Sequence, residues 1–249
     1  MSEAIQTHSY MSINIGGREV PFITDAVVMM FVITAILCIA IVLVTRNLQT
    51  VPTGAQKAAE IFIDFIENLS KQQIGKNYKG FVPFLSTLLL FILTSNIIAI
   101  FNIIPSGDVW SKIFGNPALE SFELSIHPPT RNFNVTLCLA LVTIVVVIGT
   151  EFKYMGVKGW LQSFYKPSPI FIFIKILDYI VRPMSLCLRL FGNILGGYIV
   201  MTLLYQAFPF LLPAVIGVYF DLFDGGLQAY VFVFLTMLYL SEAVEPIEE

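Results

Sequence analysis

Apolar residues occur in five runs, separated by short polar or proline-containing segments. We place these runs at residues 21–44, 81–104, 133–152, 170–208 and 214–240. A helix needs about 20 apolar residues to cross a hydrocarbon core about 30 Å thick. Each run reaches that length, so the pattern predicts about five membrane-spanning helices in a single membrane domain over residues 1–249. The predicted fold class is all-α integral membrane.

The last two runs predict a helical hairpin. Residues 170–208 are interrupted only by Pro183, and the corner from Pro209 to Pro213 leads into the final run. At about 1.5 Å per residue, a helix over the fourth run would be roughly 55 Å long, well beyond the thickness of the core. We therefore expect these two helices to be long and tilted.

Residues 55–70 show a different, amphipathic pattern. Apolar and charged positions alternate at helical spacing, with Ile61, Phe62, Phe65, Ile66 and Leu69 opposite Lys57, Glu60, Asp64 and Glu67. A helix with one apolar and one charged face lies in the plane of the membrane interface. This segment is therefore predicted to be a surface helix.

Basic residues in the flanks of the runs predict the orientation. One side of the membrane would carry Arg46, Lys57, Lys71, Lys76, Lys79, Lys153, Lys158 and Lys166, and the other Arg18, Lys112 and Arg131. Lysine and arginine accumulate on the cytoplasmic side. Residues 1–20 are thus expected outside and the acidic tail, residues 241–249, in the cytoplasm. Residues 1–20 lack the pattern of a signal peptide, so we expect them to be retained.

Composition agrees with a lipid environment and excludes several classes of function. The chain is 57% hydrophobic and 12% charged, with a net charge of −3, and it has no basic patch of the kind that binds nucleic acid. Three scattered cysteines and two isolated histidines predict no metal site. The only Gly-Lys pair, Gly75-Lys76, is followed by Asn77 and not by the Ser or Thr of a phosphate-binding loop. No cofactor is expected, and this chain is not predicted to bind a nucleotide phosphate.

Three cations lie inside the fourth run at intervals of seven residues, which puts them on nearly one helix face. They are Lys175, Arg182 and Arg189. Asp178 lies within one helical turn of the first two, so we interpret Lys175, Asp178 and Arg182 as structural ion pairs. Arg189 has no acidic residue three or four positions away. An unpaired arginine near the middle of a bilayer costs about 2.5–3.5 kcal/mol, so its partner must come from elsewhere.

The last run contains Asp221, Asp224 and Gln228, which share a helix face because they are three and four residues apart. One of the acids could pair permanently with Arg189, or these groups could line a hydrated path for a cation. A Gly-x-x-x-Gly spacing at Gly192 and Gly196 ordinarily means close helix packing. Next to a membrane-embedded arginine, small residues would also let a second protein slide past.

The string from Ser185 to Asn193, Ser-Leu-Cys-Leu-Arg-Leu-Phe-Gly-Asn, resembles the signature of the F-type ATP synthase a-subunit. Other similar segments are Val51-Pro52-Thr53-Gly54-Ala55-Gln56, Asn134-Val135-Thr136-Leu137 and Leu227-Gln228-Ala229-Tyr230. They occur in the order found in that family and extend over about 200 residues, from Val44 to Glu242.

The resemblance implies that Arg189 is the essential stator charge facing a rotor ring of c-subunits, with Asn193 and Gln228 as polar neighbours. It also implies two offset aqueous half-channels, a b-type peripheral stalk as a further partner, and H⁺ or Na⁺ as the translocated ion. The chain departs from the usual family pattern at Tyr198, where many relatives carry an acid, and at Asn132, where an Asp is common. Asp221 becomes the leading residue for the outer half-channel, followed by Asp224 and Tyr198.

Two other functions are compatible with a membrane-embedded arginine. A secondary cation transporter would be expected to show inverted repeats and a buried carrier acid, and we find no such repeat. A non-transporting scaffold would use Arg189 only to anchor a neighbour. The location expected for the preferred function is a bacterial plasma membrane, with a thylakoid membrane as the alternative.

Overall fold

Six α-helices make up most of the chain that the computed structural model describes. The described residues are 9–15, 18–46, 48–98, 128–165, 170–207, 216–217 and 219–244. The helices are α1 (Asp25–Thr45), α2 (Ala55–Ile74), α3 (Val82–Ile97), α4 (Phe133–Tyr165), α5 (Ile170–Ala207) and α6 (Gly225–Val244). A π-helical turn, Tyr219–Asp224, directly precedes α6. Parts of the predicted runs, namely residues 99–104, 208, 214–215 and 218, lie outside the described residues. So do the predicted corner, residues 209–213, and residues 245–249 of the tail.

A short β-hairpin precedes the first helix. Strand β1 (Ser9–Ile15) pairs antiparallel with β2 (Arg18–Thr24), and the register runs from Ser9 opposite Thr24 to Ile15 opposite Arg18. Residues 21–24, which the apolar pattern assigned to the first span, therefore belong to a strand. Helix α1 begins at Asp25, whose negative charge is favourable at a helix N-terminus.

Among the described residues, four helical segments are long and apolar enough to cross a membrane. They are Asp25–Thr45, Phe133–Val157, Ile172–Leu204 and Leu222–Val244. A fifth crossing results if residues 55–80 and α3, which meet at a bend of 118°, count as one broken span. The predicted class, an all-α integral membrane protein with about five membrane-spanning helices, is confirmed.

The amphipathic helix α2 is longer than the predicted residues 55–70 and continues into a 3-10 segment, Gly75–Gly80. Its start is fixed by Gln56, which is buried, accepts a 3.0 Å hydrogen bond from the Gln49 backbone and donates one to the Gln49 carbonyl. At its far end Tyr78 donates a hydrogen bond to Glu67 at 2.9 Å. That bond raises the pKa of the partly exposed Tyr78 phenol above its usual value.

Two of the long helices contain an interruption. Helix α4 runs beyond the predicted residues 133–152 and has a non-helical residue, Gly156, at φ 69° and ψ 167°. Such a positive φ is readily adopted only by glycine. Helix α5 contains Pro183, which removes one backbone donor from the helix. The side chain of Pro183 is buried.

The chain divides into two compact units, each assembled from segments of several helices. Unit 1 comprises Met1–Ile39, Phe91–Val135 and Phe191–Gln228, and unit 2 comprises Ala40–Leu90, Thr136–Leu190 and Ala229–Glu249. Fully buried side chains of unit 1 include Ile33, Ile92 and Thr130. Those of unit 2 include Leu186, Leu190 and Phe232. The assignment of residues 1–249 to one domain stays a prediction.

Candidate functional site

The first cation of α5, Lys175, lies beside a buried acid on another helix. Its Nζ atom is 3.7 Å from Oε2 of Glu151 in α4. Glu151 also accepts a hydrogen bond from the Tyr179 hydroxyl, and Tyr179 accepts one of 3.0 Å from Nε1 of Trp160. Glu151 is only 5% exposed. A buried carboxylate needs such partners, because an isolated charge in an apolar environment is very costly.

The second cation, Arg182, binds acids on two helices. Its Nη2 atom is 3.7 Å from Asp178, as the sequence predicted, and 2.6 Å from Glu242 in α6. The guanidinium also lies over the ring of Tyr239, 5.0 Å from the centroid. The predicted pairing with Asp178 is thus accompanied by a closer contact with an acid that sequence spacing did not identify.

The third cation, Arg189, differs from the other two. Its side chain is exposed, and none of the side chains that the structure describes forms an ion pair or hydrogen bond with it. The neighbouring Leu188 and Met184 are also exposed, by 52% and 51%. In contrast, Leu186 and Leu190 are buried. Arg189 therefore stands on an apolar face of α5 that unit 2 leaves uncovered.

The glycines that follow Arg189 lie on open surface. A Cβ atom added at Gly192 or Gly196 would meet no heavy atom of the described residues within 4 Å, whereas one at Gly197 would meet the ring of Phe220 at 3.6 Å. Asn193, between the two open glycines, is partly exposed. The described residues therefore do not use the Gly-x-x-x-Gly spacing for packing within the chain.

Tyr198, further along α5, contacts a cation in unit 1. The guanidinium of Arg131 lies 3.7 Å from the centroid of its ring, the geometry of a cation–π interaction. Burial lowers the pKa of Arg131, and the interaction with Tyr198 opposes that shift. Tyr198 thus holds a positive charge at the start of α4.

Three polar groups of the last predicted run occupy different surroundings. Asp221 belongs to the π-helical turn, and its side chain lies outside the described parts of the structure. Asp224, which ends that turn, is partly exposed. Gln228 is 6% exposed, and its buried Nε2 atom has no hydrogen-bond partner among the described residues. A buried amide without a partner is unusual and marks a place where a polar ligand or water is expected.

A buried polar network adjoins the same turn in unit 1. Asn96 of α3 donates a 2.8 Å hydrogen bond to the Gly225 carbonyl and accepts one of 2.9 Å from the Thr130 hydroxyl. Asn96 and Thr130 are 4% and 0% exposed. No group of three or more metal-binding side chains occurs among the described residues.

Sequence reasoning missed several of these residues. Glu151 was recognisable as an acid inside the third apolar run, and the signal was its position within a span, where charges are rare. Asn96 was likewise a lone amide in the second run. Nothing in the sequence indicated that Arg131 contacts Tyr198.

Comparison with known proteins places these residues in a family. The family model described as ATP synthase A chain matches residues 27–241. The chain belongs to the ATP synthase A chain family. The polar residues of the candidate site lie within the matched residues, except Glu242, which directly follows them, whereas the β-hairpin lies outside them.

Two relatives illustrate the similarity of this chain to other proteins. It is 34% identical over 200 residues to the ATP synthase subunit a of Propionigenium modestum described as sodium ion specific, covering 80% of this chain and 67% of that protein. It is 32% identical over 222 residues to the ATP synthase subunit a of Moorella thermoacetica, covering 89% and 91% of the two chains.

Proposed function

We propose that this chain is the ion-translocating membrane subunit of a rotary F-type ATP synthase and that Arg189 is its fixed stator charge. The observation that carries the proposal is the exposure of Arg189 on an apolar surface of α5. A cation facing lipid would be costly. A partner protein that brings an acidic group to this surface would remove the cost, and a ring of c-subunits is such a partner.

The mechanism follows from a fixed cation beside a moving carboxylate. A nearby arginine lowers the pKa of an acid by about 1–3 units, so a rotor acid would release its ion when it meets Arg189. The acid would reload from a second half-channel after moving on. Arg189 would also repel a cation crossing directly between the half-channels. The open surface at Gly192 and Gly196 supports this proposal, because it lets a partner helix pass closely.

The ion pathway is proposed to use Asn193, Tyr198, Asp221, Asp224 and Gln228. The buried Nε2 atom of Gln228, which has no hydrogen-bond partner among the described residues, supports this assignment, because it leaves a donor for an ordered water molecule on the path. ATP chemistry would take place on other subunits, and a b-type stalk would hold the chain against rotation. Both relatives are bacterial proteins, so we infer a bacterial plasma membrane as the location.

ATP-driven ion uptake into vesicles that contain the complete ATP synthase tests the proposal. We expect Arg189→Ala to assemble in normal amounts and to lose pumping. Arg182→Gln on the same helix is the matched control, because the partners of Arg182 are largely exposed and exposed ion pairs contribute little. It should retain most of its pumping. Pumping by Arg189→Ala would refute the stator role, and a loss of assembly would favour a scaffold.

The same vesicles identify the ion. Uptake that depends on sodium concentration and persists with a protonophore would indicate Na⁺, the ion named for the Propionigenium relative. Uptake that the protonophore abolishes at every sodium concentration would indicate H⁺.

A further inference from the structure

A buried polar network in unit 2 connects α4 with the part of α5 that precedes Arg189. Its centre is Glu151, whose side chain is 7% exposed and which contacts Lys175 and Tyr179. Trp160 completes the network by donating to Tyr179, and its ring packs on Phe152 with 4.5 Å between the centroids. An acid inside a membrane-spanning segment indicates a role beyond packing, because such groups are rare there.

Both partners of Glu151 on α5 lie N-terminal to Arg189, and their side chains contact α4. Lys175 and Tyr179 are one helical turn apart and partly exposed, and Leu186 and Leu190, further along α5, are buried. Arg189 is exposed. Successive residues of an α-helix are rotated by about 100° about its axis. The contacts that α5 makes with α4 therefore determine the direction in which the Arg189 side chain points.

We propose that Glu151 is a positioning residue, which fixes the rotation of α5 about its axis through Lys175 and Tyr179 and so sets the direction in which Arg189 faces its partner. The inference rests on the proposed function, since it concerns the alignment of the stator charge. Glu151 itself touches neither the rotor nor the ion. Its effect on transport is transmitted along α5.

The second ion pair of α5 provides a natural comparison. The acids around Arg182, Asp178 and Glu242, have side chains that are 48% and 56% exposed. Water and salt weaken such pairs, whereas removal of one partner from a buried pair leaves an uncompensated charge. The network at Glu151 therefore determines the rotation of α5 more strongly than the contact at Glu242.

The test uses vesicles with the complete ATP synthase and compares Glu151→Gln with Glu242→Gln. The amide oxygen of Gln at position 151 can still accept the hydrogen bond from the Tyr179 hydroxyl. Because the amide is neutral, it forms no ion pair with Lys175. We expect normal amounts of complex and continued ATP hydrolysis, with the number of ions pumped per ATP reduced about tenfold against an opposing gradient. Misplacement of a reacting group by about 1 Å can reduce a rate by up to about 100-fold. Glu242→Gln should pump within about twofold of wild type, as an exposed pair contributes little.

Exchange of the two charges separates positioning from packing. Glu151→Lys and Lys175→Glu should each lose pumping, and the double variant should recover it, because the pair is restored in reversed order. Tyr179→Phe supplies a second measurement that does not depend on the folding of the charged variants. It keeps the aromatic ring and removes the hydrogen bond to Glu151. Like Glu151→Gln, it should lower the number of ions pumped per ATP.

Three results would overturn the proposal. The first is wild-type pumping by both Glu151→Gln and Tyr179→Phe. The second is a loss of assembly that the charge exchange does not repair, which would make the pair a packing element only. The third is slower pumping by Glu151→Gln, with a shifted pH profile and an unchanged number of ions pumped per ATP. That result would indicate that Glu151 takes part in ion transfer and does not position Arg189. Arg189→Ala, measured beside them, decides the stator role independently.

Discussion

The side-chain amide of Asn96 donates a 2.8 Å hydrogen bond to the carbonyl oxygen of Gly225, 129 residues further along the chain. Gly225 is the first residue of α6 and follows the π-helical turn Tyr219–Asp224. A π turn changes the hydrogen-bond register of a helix, and such turns are frequent at functional sites. The contact therefore stabilises α6 at the point where its register changes, next to Asp221 and Asp224.

The closeness of Asn96 predicts that enlarging Gly225 destabilises the fold. A Cβ atom at position 225 would lie 3.0 Å from Cβ of Asn96, tighter than most contacts of a Cβ atom, so Asn96 would have to move by a few tenths of an ångström. Overpacking of this kind costs about 1–3 kcal/mol. We expect Gly225→Ala to lower the midpoint of thermal unfolding of the purified complex and to reduce its pumping.

The adjacent glycine supplies the control for that experiment. A Cβ atom at Gly226 would meet only Cδ1 of Leu93, at an ordinary contact distance of 3.8 Å. Gly226→Ala should therefore unfold at nearly the same temperature as the wild type. Equal midpoints for the two variants would show that the approach of Asn96 to Gly225 does not constrain the helix.

Removal of the amide at position 96 is predicted to destabilise the same region. Asn96→Ala would leave the Gly225 carbonyl and the Thr130 hydroxyl buried without their partner, and an unsatisfied buried group costs about 1–3 kcal/mol. Asn68→Ala, at an exposed position of α2, is the control and should change little. Combination with Thr130→Val should cost less than the sum of the single changes, because both act on one network. Full additivity in unfolding measurements would contradict the network.

The helical membrane fold could be predicted because burial in lipid imposes a simple pattern. Runs of about 20 apolar residues need no tertiary information to be recognised, and the periodicity at residues 55–70 identified α2. The β-hairpin was missed, although two short segments separated only by Gly16-Gly17 are a hairpin signal. The apolar residues of β2 run directly into α1, so the pattern merged the strand with the span.

The candidate site could be predicted only in part, because sequence spacing reveals partners within one helix. Asp178 was found from its position four residues before Arg182. Glu151 and Glu242 were not, since they lie 24 residues from Lys175 and 60 from Arg182 and meet them only after the helices pack.

The stack of Arg131 on Tyr198 predicts different outcomes for two substitutions of the tyrosine. Tyr198→Phe keeps an aromatic ring against the Arg131 guanidinium. Tyr198→Leu removes the ring, so the partly buried guanidinium loses its cation–π contact. A cation–π contact contributes about 0.5–2 kcal/mol. We expect the leucine variant to be less stable and slower in ion uptake than the phenylalanine variant.

Tyr154→Leu serves as the control for the loss of a tyrosine ring. Tyr154 is 40% exposed, and its nearest cation, Lys153, lies 5.8 Å from the ring centroid. This change should leave unfolding and uptake almost unaltered. A phenylalanine variant as impaired as the leucine variant would assign the role to the hydroxyl of Tyr198 and not to its ring.

Asp221 is predicted to act in the ion path and not in assembly. Asp221→Asn has nearly the same size and removes only the charge and the ability to bind a proton, so the complex should form in normal amounts. Loss of a proton-transfer group slows a reaction by about 100-fold or more, and a path that water can partly replace should slow by at least about tenfold. Asp224→Asn, one helical turn away, should slow uptake less. ATP-driven ion uptake into vesicles, measured with Arg189 intact, checks both variants. Wild-type uptake by Asp221→Asn would show that Asp221 is not part of the ion pathway. That result would not affect the proposed stator role of Arg189.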